Sequence, residues 1–129
     1  MIHEVIVADT KFDGNLYFAT RDQVEEANIY VVDPDGLSKL IHNYKGDKIL
    51  LSFYIRLDEE TRRQRMKDRG DSDELIEKRI KNDRERFNMN AIETTDWFLD
   101  GQKTTKQMAR TIMRFISVFF WVNRKVVGK

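Results

Sequence analysis

Apolar and polar residues change their period several times along the chain, and each change marks an element. Glu4-Val5-Ile6-Val7-Ala8 is a β-rich run, and Asp13-Gly14-Asn15 carries turn chemistry ahead of a second run, Leu16-Tyr17-Phe18. Thr20-Arg21-Asp22-Gln23 has the spacing of a capping box and predicts a short helix through Ala27. Ile29-Tyr30-Val31-Val32 is continuous and β-branched, the pattern of a strand buried on both faces. It ends at Asp33-Pro34-Asp35-Gly36, a turn sequence, and a short helix over residues 37–44 follows. The most apolar strand is predicted over residues 48–56.

Beyond it, Asp58 is placed to cap a helix running to Arg69, with Gly70 as its stop. Ser72 caps another, whose first turn holds Asp73 and Glu74 where they complement the helix dipole. Glu74–Lys78 and Glu77–Lys81 are favourable (i, i+4) pairs. Ile76, Ile80 and Phe87 make only a narrow apolar stripe, so this helix is expected to be solvated and to project from the body. Residues 95–99 read as a last short strand. Thr104-Thr105-Lys106-Gln107 then opens a final helix, whose Met108, Ile112, Phe115, Ile116 and Phe119 recur at helical spacing as core packing. No internal repeat, low-complexity tract or linker interrupts the pattern, so residues 1–129 form one domain. Strand–helix alternation predicts an α/β fold with a mostly parallel sheet and flanking helices on both faces.

Composition narrows the function classes. Of 129 residues, 40% are hydrophobic and 35% charged, which excludes the low-hydrophobicity, high-net-charge signature of disorder. The net charge of +1 gives no global basic field, so nucleic acid is not the expected partner and any electrostatic site is local. The absence of cysteine removes disulfides and thiolate metal sites and fits a cytoplasmic location. His3 and His42 alone are poor material for a zinc cluster. The N-terminus has no basic region followed by an apolar one, and residues 112–122 contain Arg114 and Ser117 and are too short to span a bilayer. A soluble protein without a membrane partner is expected.

Candidate chemistry concentrates in the arginine-rich segment 58–87. Arg62, Arg65 and Arg69 stand at i, i+3 and i+7 on one helix face, and Arg79, Arg84 and Arg86 follow across Gly70. A guanidinium is a fixed planar fork that matches phosphate oxygens and stays charged near neutrality. Two helices meeting at a glycine could close such a face over a polyphosphate. The alternative is a solvated helical hairpin held by surface ion pairs, since acidic residues interleave almost one for one. Asp33 ends an apolar run, where a carboxylate can meet a nucleobase or a metal. With equal weight, it merely caps the following helix. Tyr17 offers a hydroxyl or simple packing, and Asp100 sits at another strand end with the same ambiguity. Nothing resembles a Ser-His-Asp triad or a paired-carboxylate site.

The run Ile29 to Gly36, an apolar strand, then Arg65-Met66-Lys67-Asp68-Arg69-Gly70-Asp71-Ser72-Asp73-Glu74 and Lys78-Arg79-Ile80 resembles guanylate kinase, in its phage and Gram-positive branch, over roughly residues 14–118. The resemblance implies a P-loop nucleoside-monophosphate-kinase-like fold and transfer of the ATP γ-phosphoryl group to GMP, assisted by Mg²⁺. It makes residues 58–87 a lid-like hairpin, with Arg65, Arg69 and Arg79 as catalytic lid arginines. Tyr17, Asp33 and Glu4 become the GMP-site residues. Two departures stand out. The family serine falls on Ala19, with Thr20 adjacent, and no Walker A sequence G-x-x-x-x-G-K-[ST] occurs; Asp9-Thr10-Lys11-Phe12-Asp13-Gly14 has one late glycine and no hydroxyl residue after its lysine. The chain is therefore expected to be a truncated domain, missing the N-terminal P-loop strand and not catalytically competent alone. A non-catalytic nucleotide- or protein-binding module on the same fold is the alternative. The missing strand would leave a central sheet position for residues 2–8, for direct pairing of the flanking strands, or for a second chain in a homodimer.

Overall fold

The computed structural model describes residues 6–87 and 95–126. Ile6–Phe12 (β1) and Asn15–Thr20 (β2) form an antiparallel hairpin. Asp13 (φ 51°) and Gly14 (φ 80°) both take the left-handed conformation that a two-residue hairpin turn demands. A register irregularity between Ile6 and Ala8 lets consecutive residues, Val7 and Ala8, both turn inward to the core. The predicted capping box opens Arg21–Glu26 (α1): the Gln23 N–H donates to Thr20 Oγ1 (3.3 Å), and the Thr20 N–H donates to Gln23 Oε1 (3.0 Å). Pro34–Asn43 (α2) starts three residues ahead of the expected 37–44, directly after its cap Asp33, because proline is tolerated in a first turn whose N–H groups lack intrahelical partners. It packs along β1 and closes a small core of Val7, Ala8, Ala19, Val24, Leu40 and Tyr44, with Leu50 against it.

Phe53–Arg56 (β3) and Trp97–Asp100 (β4) pair in parallel, Phe53 opposite Trp97 and Arg56 opposite Asp100. Glu59–Asp68 (α3) and Asp73–Arg86 (α4) lie between them in sequence. Both start where their caps predict: Asp58 accepts from the Thr61 N–H at 2.7 Å and Ser72 from the Leu75 N–H at 3.3 Å. Gly70, at φ 94°, makes the corner between them. Thr105–Val126 (α5) begins with a second reciprocal cap between Thr104 and Gln107. Its Phe115 ring meets Phe53 at 5.3 Å and Trp97 at 5.2 Å, which seats the helix on the β3–β4 pair. Met108, Ile112, Phe115, Ile116 and Phe119 are half-buried on that side.

The fold is thus mixed α/β, but the sheet differs from the expected one. In place of one mostly parallel sheet, the described residues form two two-stranded sheets, one antiparallel and one parallel. Residues 29–32 are not a strand: Ile29 and Val31 are 88% and 92% exposed. β-Branched residues favour a pleated, half-buried surface, and here no neighbouring strand provides it. For the same reason the strand expected over 48–56 is reduced to Phe53–Arg56, the portion with a partner. The last strand lies at Trp97–Asp100 instead of 95–99.

Helix α4 does not project freely. Ile76 and Ile80 are buried, Lys78 reaches the β1–β2 hairpin at Asp13, and Arg86 reaches it at Thr10 and the Lys11 carbonyl while pairing with Asp33 at the start of α2. Glu77 turns to Arg63 on α3. No helix among the described residues is long and apolar enough to cross a membrane.

The outer edge of β1 has an unusual finish. Strand alternation turns the Val7, Asp9 and Lys11 carbonyls away from β2. Each accepts a side-chain donor instead of a strand: Asn43 Nδ2 at 3.0 Å, Lys39 Nζ at 2.9 Å and Arg86 Nη2 respectively. An edge that could template pairing is thereby blunted.

Candidate functional site

Asp33 is the most densely engaged of the described carboxylates expected from sequence to meet a ligand. As the cap of α2, its Oδ1 accepts the Gly36 N–H at 2.8 Å. Oδ2 accepts the Thr10 hydroxyl at 2.8 Å and Arg86 Nη1. Arg86 Nη1 also donates to Thr10 Oγ1 at 3.0 Å, and the guanidinium stands over the Phe12 ring at 5.2 Å. The Asp33 and Arg86 side chains are only 17% and 24% exposed. Burial pushes the Asp33 carboxyl upward, but the Gly36 N–H, the Thr10 hydroxyl and the Arg86 guanidinium together hold it below the ordinary aspartate value. Asp33 is therefore fixed as an anion. Of the two readings left open from sequence, the helix cap is the one seen; residues 29–32 form no strand for Asp33 to end, and the carboxylate instead gathers side chains from β1 and α4.

Tyr17 joins this neighbourhood through the hairpin register. It lies directly opposite Thr10, and cross-strand partners project to the same side of an antiparallel pair. Its ring is 53% exposed, so the phenol is available to a ligand on the face that carries Asp33. Glu4 lies outside the described residues.

The arginine face is partly committed to structure. Arg63 pairs with Glu59 and Glu77, Arg84 pairs with Glu59, and Arg62 pairs with Asp83 at 2.6 Å. These contacts stitch α3 to α4, as the solvated-hairpin reading anticipated. Arg62 is thereby removed from the i, i+3, i+7 face, and its Nε is buried without a hydrogen-bond partner among the described residues.

The three arginines singled out by the resemblance behave differently. Arg65 Nη2 donates to the Gly101 carbonyl at 3.0 Å, just past the C-terminal end of β4. A side chain at Gly101 would meet the Arg56 carbonyl at 2.6 Å, so only glycine allows this close approach of the chain after β4 to the end of β3. Arg69 pairs with Asp71, whose carboxyl is held down first by Arg69 and further by the charge of Arg79. Arg79 itself makes no hydrogen bond or ion pair among the described residues. Arg69 and Arg79 therefore share the surroundings of Asp71, whereas Arg65 is turned to the sheet. Asp100 closes a local turn, accepting the Gln102 N–H at 2.9 Å.

Thr10, Phe12 and Arg86 escaped sequence reading as a group. Thr10 and Phe12 belong to the segment rejected as a Walker A sequence, and Arg86 was one arginine among several. Nothing in their spacing joins them.

A nucleoside triphosphate with Mg²⁺ is not accommodated by the nearest sequence match to a phosphate loop. Residues 9–12 are strand β1 and residues 13–14 its turn. The Thr10 and Phe12 N–H groups point across to β2 and do not converge on a phosphate. No step is therefore assigned to ATP or Mg²⁺ in this chain. No family model, curated protein or solved structure matches the chain.

Proposed function

We propose that this chain is a guanylate-kinase-like domain that binds a guanine nucleotide without transferring phosphoryl groups by itself. The reading starts from the resemblance, whose reaction is ATP + GMP to ADP + GDP on a P-loop nucleoside-monophosphate-kinase-like fold. One observation carries it further: Asp33 is held ionised against Thr10, on the hairpin face to which Tyr17 also projects. A fixed carboxylate accepts the N–H edge of guanine, and a nearby phenol reaches the sugar–phosphate side. Arg79, exposed and unpaired among the described residues, and Arg69, itself exposed but paired with a largely buried Asp71, are the cations available to phosphates. Arg65 would have to leave the Gly101 carbonyl to join them.

Calorimetric titration with GMP, GDP and ATP tests this. Heat is expected from GMP and GDP, and Asp33→Ala is expected to abolish it. GMP binding that survives Asp33→Ala would end the guanine-site reading. A coupled assay with ATP, GMP and Mg²⁺ is expected to show no turnover above buffer.

A second reading, a protein-binding module on this fold, is favoured by exposed apolar side chains, Ile29 and Val31 ahead of α2 and Phe120 and Trp121 on α5, all more than half exposed. A homodimer in which a second copy covers the unpaired run 29–32 belongs to this reading.

A further inference from the structure

Helix α4 is tied to the β1–β2 hairpin at two points, Lys78–Asp13 at the turn and Arg86 on Asp33, Thr10 and the Lys11 carbonyl. The second tie has the form of a bound ligand. A flat group with adjacent N–H donors stands over an aromatic ring, Phe12, and donates to a carboxylate and to a strand carbonyl. An ionised carboxylate offers about four acceptor positions. Gly36 takes one on Oδ1, while Thr10 and Arg86 share Oδ2. With Arg86 in place, the two oxygens cannot together receive a second planar donor pair. With Arg86 withdrawn, a position opens on Oδ2 beside the one already open on Oδ1.

We propose that Arg86 is a built-in occupant of the Asp33 site, a latch that a planar ligand edge with two N–H donors must displace, releasing the end of α4 from the hairpin. This rests on the guanine reading of Asp33. Ligand binding and α4 release are then one equilibrium. Affinity is reduced by the fraction of molecules in which the latch is closed, and removing the latch restores it. Lys78 is the internal control, because it ties the same helix without touching Asp33.

Guanosine is the suitable probe, since it carries the base edge without phosphate and is insensitive to the lost charge of Arg86. In Arg86→Met its affinity is expected to rise about tenfold, within the usual range for coupled sites, and in Lys78→Met to rise far less. In the wild-type chain, saturating guanosine is expected to accelerate amide exchange in the last turns of α4. Should Arg86→Met fold poorly, Arg86→Lys keeps the charge, loses the planar fork and is expected to move both readouts the same way. Guanosine that binds wild type and Arg86→Met equally, or binds without loosening α4, overturns the latch. Guanosine that binds neither overturns the guanine reading and the ligand half of this inference with it. In that event unchanged α4 exchange in Arg86→Met would overturn the tether as well, and faster exchange would uphold it.

Discussion

Asp33 shows how one carboxylate can serve local structure and a distant contact at once. Its Oδ1 ends a helix, and its Oδ2 gathers Thr10 and Arg86. All three donors favour the charged form, so the folded-state pKa lies below the ordinary value of 3.8. The stabilisation is therefore complete above that value and is lost as pH falls through the lower, folded one. Urea midpoints of wild type and Asp33→Asn should differ most near pH about 6, and the gap should close as pH falls below about 4. A gap that stays constant would mean the carboxylate is not held by its charge. The capping half of this arrangement was legible in the sequence, because a cap acts over three residues and the Asp-Pro-Asp-Gly run announces it. The Thr10 and Arg86 half was not, since the partners stand 23 and 53 positions from Asp33 and no local pattern encodes such a meeting.

At the scale of elements, helix starts followed from their capping residues except at α2, which begins at Pro34 and not at residue 37, and strand boundaries did not. Thr20, Asp58, Ser72 and Thr104 all cap the helices expected of them, because each cap is chosen by its own neighbours. A strand is chosen by what lies beside it: residues 29–32 have the composition of a strand and no partner, so they remain exposed. The helical hairpin lies between these cases. Its ion pairs bridge α3 and α4 on a largely solvated surface, and Glu59 is their hub, meeting both Arg63 and Arg84. These two guanidinium groups, Arg84 first, lower the Glu59 carboxyl. Glu59→Ala is expected to lower the melting temperature in low salt, with the difference shrinking in 1 M salt (about 3 Å of screening length). An effect independent of salt would assign Glu59 a packing role instead.

Across the whole molecule, the resemblance offered a P-loop-type architecture, and the described residues give the coarser outcome, a mixed α/β chain with two small sheets. The parallel pair β3–β4 with a helical hairpin between its strands is the part that follows the expectation; the antiparallel hairpin at the front is the part that does not. Two-stranded sheets are marginal on their own, and here they leave Ile29, Val31, Ile49 and Ile55 each more than half exposed. On the proposed homodimer, light scattering is expected to return twice the mass of one chain. Val31→Asp should return it to one, and a strict monomer in the wild type would remove the dimer. Sequence could not decide this question, because the same apolar run serves a neighbouring strand of its own chain or of another.

The convergence at Asp33 also bears on the order in which the chain folds. The β1–β2 hairpin closes over two residues, and α3 meets α4 through partners at most 25 positions apart, whereas Arg86 must find Thr10 across 76. Contacts that close short loops come early and those that close long ones late. The Arg86 contact is thus expected to form last, after both hairpins exist. Arg86→Met should then leave the refolding rate nearly unchanged and speed unfolding on the order of tenfold, as expected for a contact absent from the transition state. If refolding slowed instead, the two hairpins would have to meet before either is complete.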